Sequence, residues 1–212
     1  MRALLILLVT GGTAMAENEI SVGSNFRALH SSSANALSGD NLGGGGFGYA
    51  HTLGIEMPFG LTTWVDANAQ FFGVDGTMFQ SISTTTEAQL LTAGLHVSYH
   101  PWSWVGVNAG VGFGAEHVDL TLVDSMGNQS DDGNWGAVGR ANVQVDLVGG
   151  KRAKFGIRGE LGYLAAQAVQ LTPKRDRSDG DSDTIYLPVM QASLGHLDLS
   201  GVYGGFTLFS QF

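Results

Sequence analysis

Beyond residue 17, apolar residues recur at every second position through most of the chain. In 135–147 (WGAVGRANVQVDL), Ala141, Val143, Val145 and Leu147 alternate with Arg140, Asn142, Gln144 and Asp146. Successive side chains of a strand point to opposite faces, so this spacing sorts one apolar face from one polar face. In 155–165, Phe155, Ile157, Leu161 and Tyr163 oppose Arg158 and Glu160; in 104–116, Val105, Val107, Ala109, Val111 and Phe113 oppose Asn108, Glu116 and a row of glycines. The design repeats in 91–100, 61–71, 47–57 and 20–28, where the polar sets include His96 and His100, Trp64 and Asp66, Glu56, and Arg27. No segment carries a convincing helical period, so the chain reads as all-β.

The connections alternate too. Short links at 57–60, 100–103 and 148–153 are interleaved with polar stretches at 31–46, 73–86, 122–134 and 172–183, predicted as long loops. Short and long connections therefore lie at opposite ends, as in a transmembrane barrel. Seven strands are predicted over 18–29, 45–57, 60–73, 86–100, 103–120, 134–148 and 153–171. Residues 184–212 are too long for one ordinary crossing, and Pro188, Gly195 and Gly201 predict a bend before a single final strand. A hairpin there would make nine strands, whereas single-chain bacterial barrels have an even number. The expected fold is a closed antiparallel up-and-down transmembrane β-barrel of eight strands.

The N-terminus changes the setting. MRALLILLVTGGTAMA has a charge at Arg2, an apolar run over 3–9 and a small-x-small ending at Ala14-Met15-Ala16. The run is far short of the about 20 residues a spanning helix needs, and the pattern is that of a removed secretory signal, residues 1–16. Residues 17–212 then form one domain starting at Glu17. There is no cysteine, hence no disulfide and no lipid anchor on cysteine. The formal charge of −9 argues against a nucleic-acid backbone as partner.

Alternation alone does not separate a barrel in lipid from a soluble one. The polar face does: it is rich in Gly, Ala, Ser, Asn and Gln, and the only lysines are Lys151, Lys154 and Lys174. Small residues with scattered charges suit a narrow lumen that side chains fill. Arg27, Arg140 and Arg158 are expected there as partners of Asp66, Glu116, Asp146 and Glu160, a polar lumen network. Phe47, Tyr49, Phe71, Phe72, Tyr99, Trp102 and Trp104 lie near predicted strand ends, where interfacial girdles sit.

The chain ends VYGGFTLFSQF, with Val202, Phe206, Leu208 and Phe212 on one face. This ending resembles the C-terminal signature of bacterial outer-membrane β-barrels, although Ser210 stands where an aromatic or apolar residue is usual. With the signal and the strand pattern, the chain resembles small barrels of the OmpA/OmpX/OmpW type. The resemblance implies a bacterial outer-membrane location among lipid and lipopolysaccharide. It also implies recognition of Phe206, Leu208 and Phe212 by the barrel-assembly machinery. No cofactor is implied.

The preferred reading is a non-enzymatic barrel with a plugged lumen, acidic extracellular loops and a structural, interaction or minor-pore role. Two others stay open. His196, Asp198 and Ser200 sit on alternate positions, and a lipid A-modifying hydrolase would need such a His and Ser pair. A secreted soluble β-barrel binding an apolar ligand would share the alternation. His96 and His100, about 13 Å apart on a strand, are too distant for one metal without other ligands. Asp179, Asp181 and Asp183 start like a calcium loop but lack its Gly and its final Glu.

Overall fold

The computed structural model describes residues 17–30, 41–78, 81–150, 154–172, 174–175 and 196–212. The signal segment 1–16, the loop 31–40 and Asp179, Asp181, Asp183, Pro188 and Gly195 lie outside them. Eight long strands carry the fold: β1 Asn18–Leu29, β2 Asn41–Met57, β3 Leu61–Met78, β4 Ile82–Trp102, β5 Val105–Val123, β6 Gln129–Gly149, β7 Lys154–Ala166 and β8 Gly201–Gln211. Each pairs antiparallel with its neighbours in sequence. The ring closes where β8 pairs with β1, from Glu19 opposite Gln211 to Leu29 opposite Gly201. Asn18 and Phe212 then exchange backbone hydrogen bonds of 3.0 and 2.9 Å, so the chain's final residue is held in the ladder.

The final crossing is a single strand. A two-residue strand, His196–Leu197, pairs with Val169–Gln170, residues 198–200 break the ladder, and β8 follows. Three of the expected long loops are corrected. The β3–β4 ladder continues to Met78 opposite Ile82, and the β5–β6 ladder to Val123 opposite Gln129, leaving only 79–81 and 124–128 between strands. β2 likewise begins at Asn41, running through Gly43–Gly46; a Cβ on Gly44 would overlap the Phe71 carbonyl across the ladder.

The alternation continues through those segments with its sign reversed. Through the lower part of the barrel, Val22, Phe47, Leu95, Val111, Val143, Ile157 and Leu208 face outward and are exposed, while Asp66, Asn108, Arg140 and Asp146 are buried inside. Toward the loops the interior is apolar: Leu29, Leu42, Phe72, Leu90, Val118, Leu120, Leu164, Leu171, Leu197 and Leu199 form one buried cluster. There the outward positions are Asp75, Glu87, Asp119 and Asp131. Adjacent pairs mark the change: Phe71 points out and Phe72 in, Leu91 out and Leu90 in, Tyr163 out and Leu164 in.

This inversion defines two environments. Each exposed Leu, Ile, Val or Phe side chain forgoes about 1.5–3 kcal/mol of burial if its surroundings are water, so the lower exterior belongs in lipid. About ten residues per tilted strand correspond to the ~25 Å apolar band of membrane barrels. The upper part, polar outside and apolar inside, is built for water.

Val143→Arg, within the apolar band of β6, is therefore expected to destabilise the barrel by about 2–4 kcal/mol, and Glu87→Arg, above the band, by less than about 1 kcal/mol. Urea unfolding in phospholipid vesicles measures both.

Candidate functional site: the barrel lumen

Inward positions of the eight strands bring distant carboxylates and guanidiniums together in tiers. In the lowest tier, Asp146 and Arg158 are direct partners across β6 and β7. Arg158 Nε and Nη2 donate to Asp146 at 2.7 and 3.0 Å, and Nη1 and Nη2 donate to Glu19 at 2.7 and 3.1 Å. Only a planar guanidinium offers two such forks at once. Its carbon also lies 5.0 Å from the Trp64 ring and 4.8 Å from the Phe209 ring. A chain of neutral donors extends the tier: Trp64 Nε1 donates to Ser98 Oγ at 2.7 Å, Ser98 to Asn108, and Asn108 Nδ2 to Asp146 Oδ2 at 2.9 Å.

In the middle tier, Arg140 Nη2 donates to Asp66 Oδ2, which also accepts from Asn68 Nδ2 at 2.5 Å. His96 Nε2 lies 3.3 Å from the same oxygen, and its ring stacks on Trp64 at 3.9 Å. The ring lies over Gly110, where any Cβ would overlap it. Glu160 Oε1 accepts from Tyr203 Oη at 2.7 Å and from Asn142 Nδ2 at 2.5 Å.

In the top tier, Arg27 Nη1 donates to Glu116 Oε1 at 2.6 Å, with side chains 0% and 2% exposed. The Phe72 ring lies 4.5 Å from the Arg27 guanidinium carbon, and the leucine-rich cluster fills the barrel beyond it.

The structure thus brings Arg27 to Glu116, Arg140 to Asp66 and Arg158 to Asp146, whereas Glu160 bonds to neutral donors. Sequence reasoning missed Glu19, the second carboxylate on Arg158, although it shares the odd-numbered phase of Arg27 on β1. Phe206, Leu208 and Phe212 lie on the outer face of β8, 69%, 59% and 67% exposed. His100 is exposed near the short turns, apart from the buried His96. Ser200 Oγ accepts from Ala166 N at 2.9 Å and donates to Ala166 O at 3.2 Å, and Ser200 N donates to Asp198 Oδ1 at 2.8 Å. Ser200 therefore bridges the broken ladder to Ala166, Asp198 accepts the Ser200 amide within the same segment, and among the described residues no hydrogen bond joins His196 to Ser200.

A closed eight-stranded up-and-down barrel, apolar outside and polar within across its membrane band, is the architecture of a bacterial outer-membrane β-barrel protein, and this chain has it. Its fold is similar to that of a major outer membrane protein from Thermus thermophilus, at 9% identity over 93% of this chain and 99% of that one, with a TM-score of 0.58. The attachment invasion locus protein Ail of Yersinia pestis (12% identity, 92% and 96% covered) and Neisserial surface protein A (7%, 94% and 97%) each give a TM-score of 0.49. No protein-family model and no curated protein matches the chain.

Removing one member of a buried ion pair costs more than the pair contributes, because the survivor stays charged and unpaired. Arg158→Met, which strands both Glu19 and Asp146, is expected to cost about 3–5 kcal/mol, read from urea titration of the folded barrel in detergent.

Proposed function

We propose that residues 1–16 direct export and that residues 17–212 form a non-enzymatic integral outer-membrane protein, with a lumen filled by side chains and a water-exposed extension that contacts partners outside the cell. The observation that carries this reading is the buried cluster of Leu42, Leu90, Leu120, Leu164, Leu171, Leu197 and Leu199 across the loop end of the lumen. A solute entering from the short-turn side meets the Arg158 tier, then the Arg27–Glu116 pair, then this apolar core. Each step costs a hydrated solute its water without offering a path.

The outward faces of β3 to β6 above the membrane band carry Asp75, Glu87, Asp119 and Asp131. A negative face at the level of lipopolysaccharide headgroups favours cationic partners or contacts bridged by divalent ions. On β8, Phe206, Leu208 and Phe212 serve assembly: they lie on its lipid face, leaving both of its backbone edges to pair with β1 and β7. The hydrolase reading has little support from geometry, since the Ser200 hydroxyl is committed to Ala166.

Planar-bilayer recording of the purified barrel tests the plugged lumen: no channel activity is expected, and stable open channels would overturn it. Deleting Phe212 is expected to lower the amount of heat-modifiable barrel in isolated outer membranes, seen as loss of the fast-migrating unboiled band.

A further inference from the structure

The wall formed by β4 to β8 carries a groove of ≈ 640 Å³ on its outer surface, within the size range of small-molecule sites. Leu95 and Val97 of β4 border it on one side, Leu161 of β7 and Val202 of β8 on the other, and Ala109 and Ala141 lie between. The register explains the hollow. Ala109 lies opposite Val97 and Val143, and Ala141 opposite Val111 and Tyr163, so the two methyl groups are diagonal neighbours on β5 and β6 within a face of larger side chains.

Nothing polar opens into the groove. The backbones of β5, β6 and β7 are committed to the ladder, and the one polar side chain among the bordering residues, Asn142, points into the lumen and donates to Glu160 Oε1 at 2.5 Å. Elsewhere the barrel covers its own lipid-facing gaps. The Phe26 ring lies against Gly204 and the Phe206 ring against Gly159, where a Cβ would stand 2.9 and 3.8 Å from ring atoms. No aromatic side chain borders the groove, so its cover comes from outside the chain.

The groove is continuous with the apolar face that lies in lipid, and Leu95, Leu161 and Val202 at its borders are 49%, 61% and 44% exposed. An unfilled hollow in hydrocarbon forfeits dispersion contacts along its lining. A second copy of the chain in two-fold contact would set groove against groove and enlarge the void, whereas a flexible alkyl chain follows the hollow. Charge selects among lipids. β4 and β5 contain no lysine or arginine, and Glu87 and Asp119 stand on their outer face above the membrane band, so an anionic head group there would be repelled.

We propose that this groove binds one acyl chain of a zwitterionic phospholipid and holds it more firmly than the lipid around the rest of the barrel. The groove lies directly outside the middle tier of the lumen. A Cβ on Gly110 would overlap the His96 ring, and one on Gly162 would stand 2.7 Å from the Tyr203 ring, so between the groove floor and these buried side chains there is only backbone. The bound chain completes the wall where it is thinnest.

The test uses residues 17–212 refolded into phosphatidylcholine vesicles, released into a mild detergent and weighed by native mass spectrometry. One retained phosphatidylcholine per barrel is expected. It is expected to be lost when Ala109→Phe and Ala141→Phe together fill the groove, and kept in Val145→Phe, which adds the same ring to the outer face of β6 beyond it. Ala141→Leu alone, expected to lower retention, serves should the double variant not fold. Phosphatidylcholine with a photoreactive diazirine in its acyl chain is expected to label 109–111 and 141–143 above Val22 and Phe47 on the opposite wall. A barrel that emerges free of lipid, retention unchanged by filling the groove, or labelling spread evenly around the barrel would overturn the proposal. So would a wild-type dimer that the filled groove abolishes, since the face would then join two copies of the chain.

Discussion

Everything in this molecule depends on the pairing of β8 with β1. Within hydrocarbon no water satisfies a free N–H or C=O, so a sheet survives there only when its last strand meets its first. The register from Glu19 opposite Gln211 to Leu29 opposite Gly201 meets that demand along the whole length of β8. Closure with eight strands then fixes a lumen just wide enough for side chains. The lumen's chemistry follows from its width: charges held this close, with so little water, have to find one another.

The inward residues answer by sharing. Arg158 serves two carboxylates, Asp66 receives Arg140, Asn68 and His96, and the aromatic faces of Trp64, Phe72 and Phe209 cover guanidinium surface that carboxylates leave bare. Glycines make room for these bulky groups, as Gly110 does beneath His96. Such buried polar networks contribute modest net stability compared with an apolar filling of the same volume. Their presence here fits an interior that must not resemble the lipid-facing exterior, because a strand apolar on both faces has no preferred way round.

Most of the architecture is legible in the sequence because the period of two is strict from Val105 to Phe113 and from Ala141 to Leu147, and because charges fall on the opposite phase. Partner choice is less legible. Alternation places Arg27 and Glu116 on inward faces, but which carboxylate meets which arginine depends on strand stagger, which a single strand does not encode. Gly73 and Leu120 resemble strand ends, because outward apolar residues give way there to Asp75 and Thr121. In fact the apolar set moves to the other phase, and the neighbouring pairs Phe71–Phe72 and Leu90–Leu91 are the visible trace of that move. Glu19 is easily overlooked beside the predicted cleavage site, where a carboxylate reads as an exposed terminus.

The leucine-rich core above the membrane band has a consequence for how the protein can change over time. About six further residues of strand raise the tips of β3 to β6 by up to about 20 Å, and that core makes the raised portion a small globular cap with its own packing. Substitutions in 124–128, or at the outward Asp75 and Asp131, touch neither the lipid band nor the arginine tiers. A surface insulated in this way can drift in sequence, while the barrel beneath it remains under the unchanging discipline of the membrane.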